Sequence, residues 1–108
     1  ANGMKAVRYS KIEEETNIVD IGCGPKGIGD FLCARLWNPK SILMVDVSDF
    51  NLQKAVEMGA TLTCNSRREN LYDRVMELTD GVGADLVFLA FGDAPTIQQA
   101  FEITRRGG

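Results

Sequence analysis

Hydrophobic residues along the chain fall into two alternating patterns: short consecutive runs, and stretches where apolar residues recur every three or four positions. The first run, Asn17–Gly22, predicts a strand. Ile28, Phe31, Leu32 and Leu36 then share one helical face and predict a helix over Gly27–Trp37, stopped by Asn38-Pro39. Ser41–Val47 is apolar on consecutive positions, as in a parallel strand covered on both faces. A helix follows over Asp49–Met58, with Ser48 as N-cap and Gly59 past its end. Thr61–Cys64 is a short third strand. Ser66-Arg67-Arg68-Glu69 matches a capping box and predicts the start of a helix that buries Leu71, Val75 and Leu78, with Gly81 to end it. Asp85–Phe91 is a fourth strand. Pro95 suits the first turn of a fourth helix whose apolar face is Ile97, Ala100 and Phe101, with Arg105 and Arg106 complementing its C-terminus.

The order βαβαβαβα predicts an α/β domain with a parallel sheet. Residues 1–16 precede the first strand, and Met4, Val7 and Tyr9 suggest a short lead-in helix. Residues 17–108 then make one domain, which is all that 108 residues allow.

Composition narrows the chemistry. A net charge of −3 with mixed signs argues against nucleic acid or an anionic membrane as partner. No apolar run approaches the ~18 residues of a membrane span. Cys23, Cys33 and Cys64 are widely spaced in apolar segments, which suggests reduced, buried thiols and a cytoplasmic protein. Histidine is absent, removing the commonest general acid–base group and the commonest zinc ligand.

The candidate chemistry lies between the first strand and the first helix. Gly22-Cys23-Gly24-Pro25-Lys26-Gly27 fits G-x-G-x-x-G in the right context, after a strand and opening a helix. The first glycine permits the tight turn, the second lets backbone approach a pyrophosphate, and the third lets helix and strand pack closely. The helix N-terminus offers free N–H groups to the phosphates. Asp46 ends the second strand, 19 residues after Gly27. A carboxylate there accepts hydrogen bonds from the adenosine ribose and repels a 2′-phosphate, which favours NAD over NADP.

With these motifs placed, the chain resembles the coenzyme domain of the zinc-dependent medium-chain alcohol, sorbitol and threonine dehydrogenases. The resemblance is carried by Ile21–Gly29, by Val45-Asp46-Val47, by Lys54–Thr61 (KAVEMGAT), by Glu77–Phe88 (ELTDGVGADLVF) and by Ala100–Gly108 (AFEITRRGG). It implies a Rossmann-type doubly wound sheet in the order 3-2-1-4. It also implies that Gly22, Gly24, Pro25, Lys26 and Gly27 surround the pyrophosphate and that Asp46 holds the adenosine ribose. Asn51 falls where relatives often have Lys or Arg beside that ribose. Ala90, Phe91 and Gly92 would line the cleft on the nicotinamide side. Three residues depart from the pattern. Lys26 replaces an aliphatic residue, Asp30 charges the first helix, and Asp20 lies inside a strand that should be buried. A buried carboxyl there must find a hydrogen-bond partner or titrate high.

Ile18–Gly24 (IVDIGCG) also resembles the first motif of S-adenosylmethionine-dependent methyltransferases, in which Asp20 would be ordinary. That motif needs glycine at position 26, where Lys26 stands; the dinucleotide spacing needs Gly27, which is present. A non-catalytic dinucleotide-binding module is a further alternative. The dehydrogenase resemblance implies two more strands and a catalytic domain carrying zinc. The sequence is therefore expected to be a sheet truncated after about four strands, inactive alone, with the alcohol substrate and zinc belonging to the absent part. An exposed edge on the fourth strand would favour a homo-oligomer.

Overall fold

The structure is a computed structural model that describes residues 16–89 and 94–105. Strand β1 (Asn17–Ile21) leads into helix α1 (Pro25–Ala34), which tightens into a 3₁₀ turn over Arg35–Trp37. Strand β2 (Ser41–Asp46), helix α2 (Asp49–Glu57), strand β3 (Leu62–Asn65), helix α3 (Leu71–Leu78), strand β4 (Leu86–Leu89) and helix α4 (Ala94–Ile103) follow. The four strands form one parallel sheet in the order β3-β2-β1-β4, as the resemblance implied. The chain reverses direction across the sheet between β3 and β4. That reversal leaves the crevice at the carboxyl end of β1, where open α/β sheets bind ligands.

Side chains alternate across the sheet, and a helix pair covers each face. On one face Val19, Ile21, Leu43, Val45 and Cys64 pack with Leu71 and Val75 of α3 and Ile103 of α4. On the other, Cys23 and Met44 pack with Phe31 of α1 and with Leu52 and Ala55 of α2. Ile18 and Ala34 extend this second layer toward Leu86 and Phe88.

Several local expectations change. Helix α1 starts at Pro25, two residues early, because proline suits a first helical position. Leu36 is 81% exposed: the tighter 3₁₀ winding turns it off the face that Phe31 and Leu32 share, and Asn38 closes the turn in the left-handed conformation. Helix α3 starts at Leu71 with Asn70 as N-cap, so Ser66–Glu69 is a turn rather than a capping box. Asn65 explains this. Its Oδ1 accepts the Arg67 N–H at 2.9 Å, and its carbonyl accepts from Arg68 and Glu69, which closes the turn before a helix can begin. On α4 Ile103 is fully buried, while Phe101 is 74% exposed. Arg105 lies beyond that helix and donates to Asp85 at 2.8 Å instead of serving the helix end. Cys23 and Cys64 are buried, but Cys33 is exposed on the outer side of α1. The expected lead-in helix lies outside the described residues.

Candidate functional site

The carboxyl ends of β1 and β2 bring the glycine loop and Asp46 together. Gly22 adopts φ +100°, a conformation that side chains rarely accept, and its N–H donates to the Val45 carbonyl at 2.7 Å. The loop thus stays on the sheet for one more residue before it turns. Gly24 is the N-cap of α1 and has no side chain to cap with. Proline at the next position has no N–H, and the first intrahelical bond runs from Ile28 N to Gly24 O at 2.9 Å. The amides of Lys26 and Gly27 therefore belong to the unfilled donors of a helix start. A Cβ built on Gly24 would meet no atom within 4 Å, so the loop is open at this residue. Gly27, in the first turn of α1, is buried.

Asp46 sits in a cradle of four donors. Its Oδ1 accepts from Val47 N at 2.7 Å and Ser48 N at 3.0 Å. Its Oδ2 accepts from Cys23 N at 2.8 Å, inside the glycine loop, and from Asn51 Nδ2 at 3.2 Å. The carboxylate therefore locks the β2–α2 turn to the glycine loop. Ser48 caps α2 by accepting from Asn51 N at 3.2 Å, as its residue type predicted. Of the expected binding residues, the structure brings Gly22, Gly24, Pro25, Lys26, Gly27, Asp46 and Asn51 to one end of the sheet. Ala90, Phe91 and Gly92 lie outside the described residues.

Lys26 and Asp30, the two charged departures on α1, pair with each other at 3.2 Å, one helical turn apart. Beneath them Asp20 is fully buried between Met44 of β2 and Phe88 of β4, and neither carboxyl oxygen has a hydrogen-bond partner. Burial pushes its pKa up to about 8; the negative charge of Asp30 adds to this and Lys26 opposes it. Burial likewise raises the Cys23 thiol to about 12, with the charge of Asp46 adding to it, which disfavours the thiolate.

Asn65 is the residue that sequence reasoning missed. It pairs in register with Asp46 at the end of β3 and is buried. Its Nδ2 donates to Asp49 Oδ1 at 2.8 Å, and its own N–H donates to Glu69 at 3.2 Å. The bond from Asn65 Nδ2, followed by the nearby Arg68 guanidinium, holds the Asp49 carboxyl below its ordinary range. The available signal was a polar side chain ending an apolar strand at the level of Asp46.

These residues fit an adenine dinucleotide. An uncapped helix start, an open glycine and a fixed carboxylate one strand away are groups of the kind that take phosphates and ribose hydroxyls. They do not fit zinc: the chain has no histidine, and among the described residues no three Cys, Asp or Glu side chains converge.

A model of the family described as zinc-binding dehydrogenase matches residues 27–108. The chain is 32% identical over 108 residues to an uncharacterized zinc-type alcohol dehydrogenase-like protein of Escherichia coli, covering 100% of this chain and 31% of that protein. It is 27% identical over 106 residues to the sorbitol dehydrogenase of Bacillus subtilis, covering 98% and 30%. Among solved structures, the zinc-dependent alcohol dehydrogenase 2 of Streptococcus pneumonia superposes with a TM-score of 0.84 at 33% identity, covering 94% of this chain and 30% of that one. The chain thus spans under a third of the length of these relatives. The Escherichia coli similarity runs through Ile18–Gly24 itself, the segment that also resembles a methyltransferase motif, and the methyltransferase alternative is not supported.

Proposed function

The chain belongs to the zinc-binding dehydrogenase family, and from that premise we propose that it is the NAD-binding portion of an alcohol or polyol oxidoreductase. The observation that carries this reading is the bond from Cys23 N to Asp46 at 2.8 Å. It fixes a carboxylate beside the glycine loop that opens an uncapped helix start.

In this reading the amides of Lys26 and Gly27 and the partial positive charge at the start of α1 take the pyrophosphate. The Lys26 ammonium is offset by Asp30 at 3.2 Å, so most of the attraction comes from backbone. Asp46 orients the adenosine ribose, and its negative charge repels a 2′-phosphate. Ala90, Phe91 and Gly92 are proposed to face the nicotinamide. Bound nicotinamide supplies hydride exchange with the carbon of a secondary alcohol. In this reading the chain's residues bind and orient the cofactor. We assign the alcohol substrate, zinc and the catalytic groups to parts of the enzyme outside these residues, and expect residues 1–108 alone to show no turnover. The same reading places the protein in the cytoplasm as a homo-oligomer without nucleic-acid or membrane partners. No described helix is long and apolar enough to cross a membrane.

The test is a calorimetric titration of the 108-residue chain with NADH, NADPH and S-adenosylmethionine. NADH is expected to bind more tightly than NADPH by tenfold or more, with no heat from S-adenosylmethionine. Asp46→Ala should narrow the gap. Equal or tighter NADPH binding by the unmodified chain would remove Asp46 from its assigned role.

A further inference from the structure

A carboxylate has two oxygens and about four acceptor positions in all. On Asp46 all four are filled by the protein's own donors: Val47 N, Ser48 N, Cys23 N and Asn51 Nδ2. A ribose diol cannot add two hydrogen bonds to a carboxylate in that state. At least one of the four donors has to leave before any ribose hydroxyl can bind, and they are not equally free to do so. Val47 and Ser48 are the next two residues of the chain, and their amides are aimed by the turn itself. The Cys23 amide belongs to a buried residue of the glycine loop. Asn51 differs: its contact is the longest of the four at 3.2 Å, it comes from a rotatable side chain, and that side chain is partly exposed. Its backbone N–H stays anchored to Ser48 Oγ at 3.2 Å, so the side chain can swing without loosening α2.

We propose that Asn51 is an exchangeable cover on Asp46, whose amide holds the last acceptor position and is displaced when the ribose of an adenine dinucleotide docks. Asn51 is thus a positioning residue. It keeps Asp46 satisfied in the free protein and lowers cofactor affinity, because its bond to a charged acceptor must be broken first. The inference rests on the cofactor reading above and extends it to a residue whose side chain would otherwise count as a ribose contact.

The opposed readings give opposite signs. If Asn51 is a cover, Asn51→Ala binds NADH about three- to tenfold more tightly than the parent, the gain from losing one competing hydrogen bond. If Asn51 is a direct ribose contact, the same variant binds more weakly. The experiment measures NADH affinity for the parent, Asn51→Ala, Asp46→Ala and the double variant. The gain must vanish in the Asp46→Ala background, where nothing remains to be uncovered; a structural effect of Asn51 on α2 would persist there. Circular dichroism melts verify that the variants are folded. Equal or weaker binding by Asn51→Ala, or a gain that survives without Asp46, overturns the exchange while the cofactor reading stands. No NADH binding by the parent at millimolar concentration overturns both.

Discussion

Asp20 occupies the middle of β1 with no partner for either oxygen, and its pKa of about 8 reflects burial first and the nearby Asp30 second. In the unfolded chain an aspartate releases its proton near pH 4, about where a model carboxyl does. Between these values the folded protein holds a proton that the unfolded chain has lost. Stability is therefore full below about pH 4, falls as pH rises, and levels off above about pH 8, for a total on the order of several kcal/mol. Asp20→Asn mimics the protonated form at every pH and should flatten that slope, leaving a more stable protein at pH 7.5 but no gain at pH 4. Urea denaturation of both proteins across this range measures the difference; parallel pH profiles would mean that Asp20 is hydrated or paired in solution. At this scale the sequence was informative where a residue type breaks its local pattern. An acid in an apolar strand, a glycine at a turn and an acid at the end of β2 each announced themselves. The partners were not legible, because they lie 23 residues away for Asp46 and Cys23 and 16 away for Asn65 and Asp49. No local period encodes such separations.

Helix α3 shows how an element can be found and its start misplaced. Its apolar spacing correctly marked Leu71 and Val75 as buried. The capping-box match four residues upstream competed with Asn70, an equally good N-cap, whose Oδ1 accepts the Asp73 N–H at 2.9 Å. Asn65 decided between them by closing the Ser66–Glu69 turn from the end of β3, which is a tertiary event. The two starts make different predictions. Asn70→Ala should cost about 1 kcal/mol, the usual value of an N-cap, whereas Ser66→Ala should change stability by less than about 0.5 kcal/mol. Thermal melts of the two variants rank them, and a larger loss for Ser66→Ala would restore the capping box. Helix α1 carries the same lesson in reverse. Its glycine motif located the loop to the residue, yet the helix began at Pro25, inside the motif, because proline's fixed φ favours a first helical position.

The strand order β3-β2-β1-β4 followed from the resemblance and holds in the structure, and it leaves a specific liability. Among the described residues β4 pairs only with β1, so the outward N–H and C=O groups of Leu86–Leu89 have no strand beside them. All four residues are apolar and half-buried, with no lysine or proline to deter another strand. Beside this edge a shallow groove is lined by Leu86, Val87, Leu89, Ile97, Ala100 and Phe101, and Phe101 is 74% exposed at its rim. Backbone groups waiting for a partner next to apolar surface favour edge-to-edge pairing with a second copy, in which both the hydrogen bonds and the rim of Phe101 become covered. The 108-residue chain is therefore expected to self-associate through β4. Sedimentation over a hundredfold concentration range should show a rising mean mass, and amide exchange within Leu86–Leu89 should slow in step with it. The measurement needs a reductant throughout, because the exposed Cys33 could otherwise cross-link copies by a route unrelated to the sheet. A monomer at every concentration, with the β4 amides already fully protected, would mean that the edge is covered within the chain itself. Loss of self-association in Phe101→Ser with β4 exchange unchanged would instead move the contact from the strand to the groove.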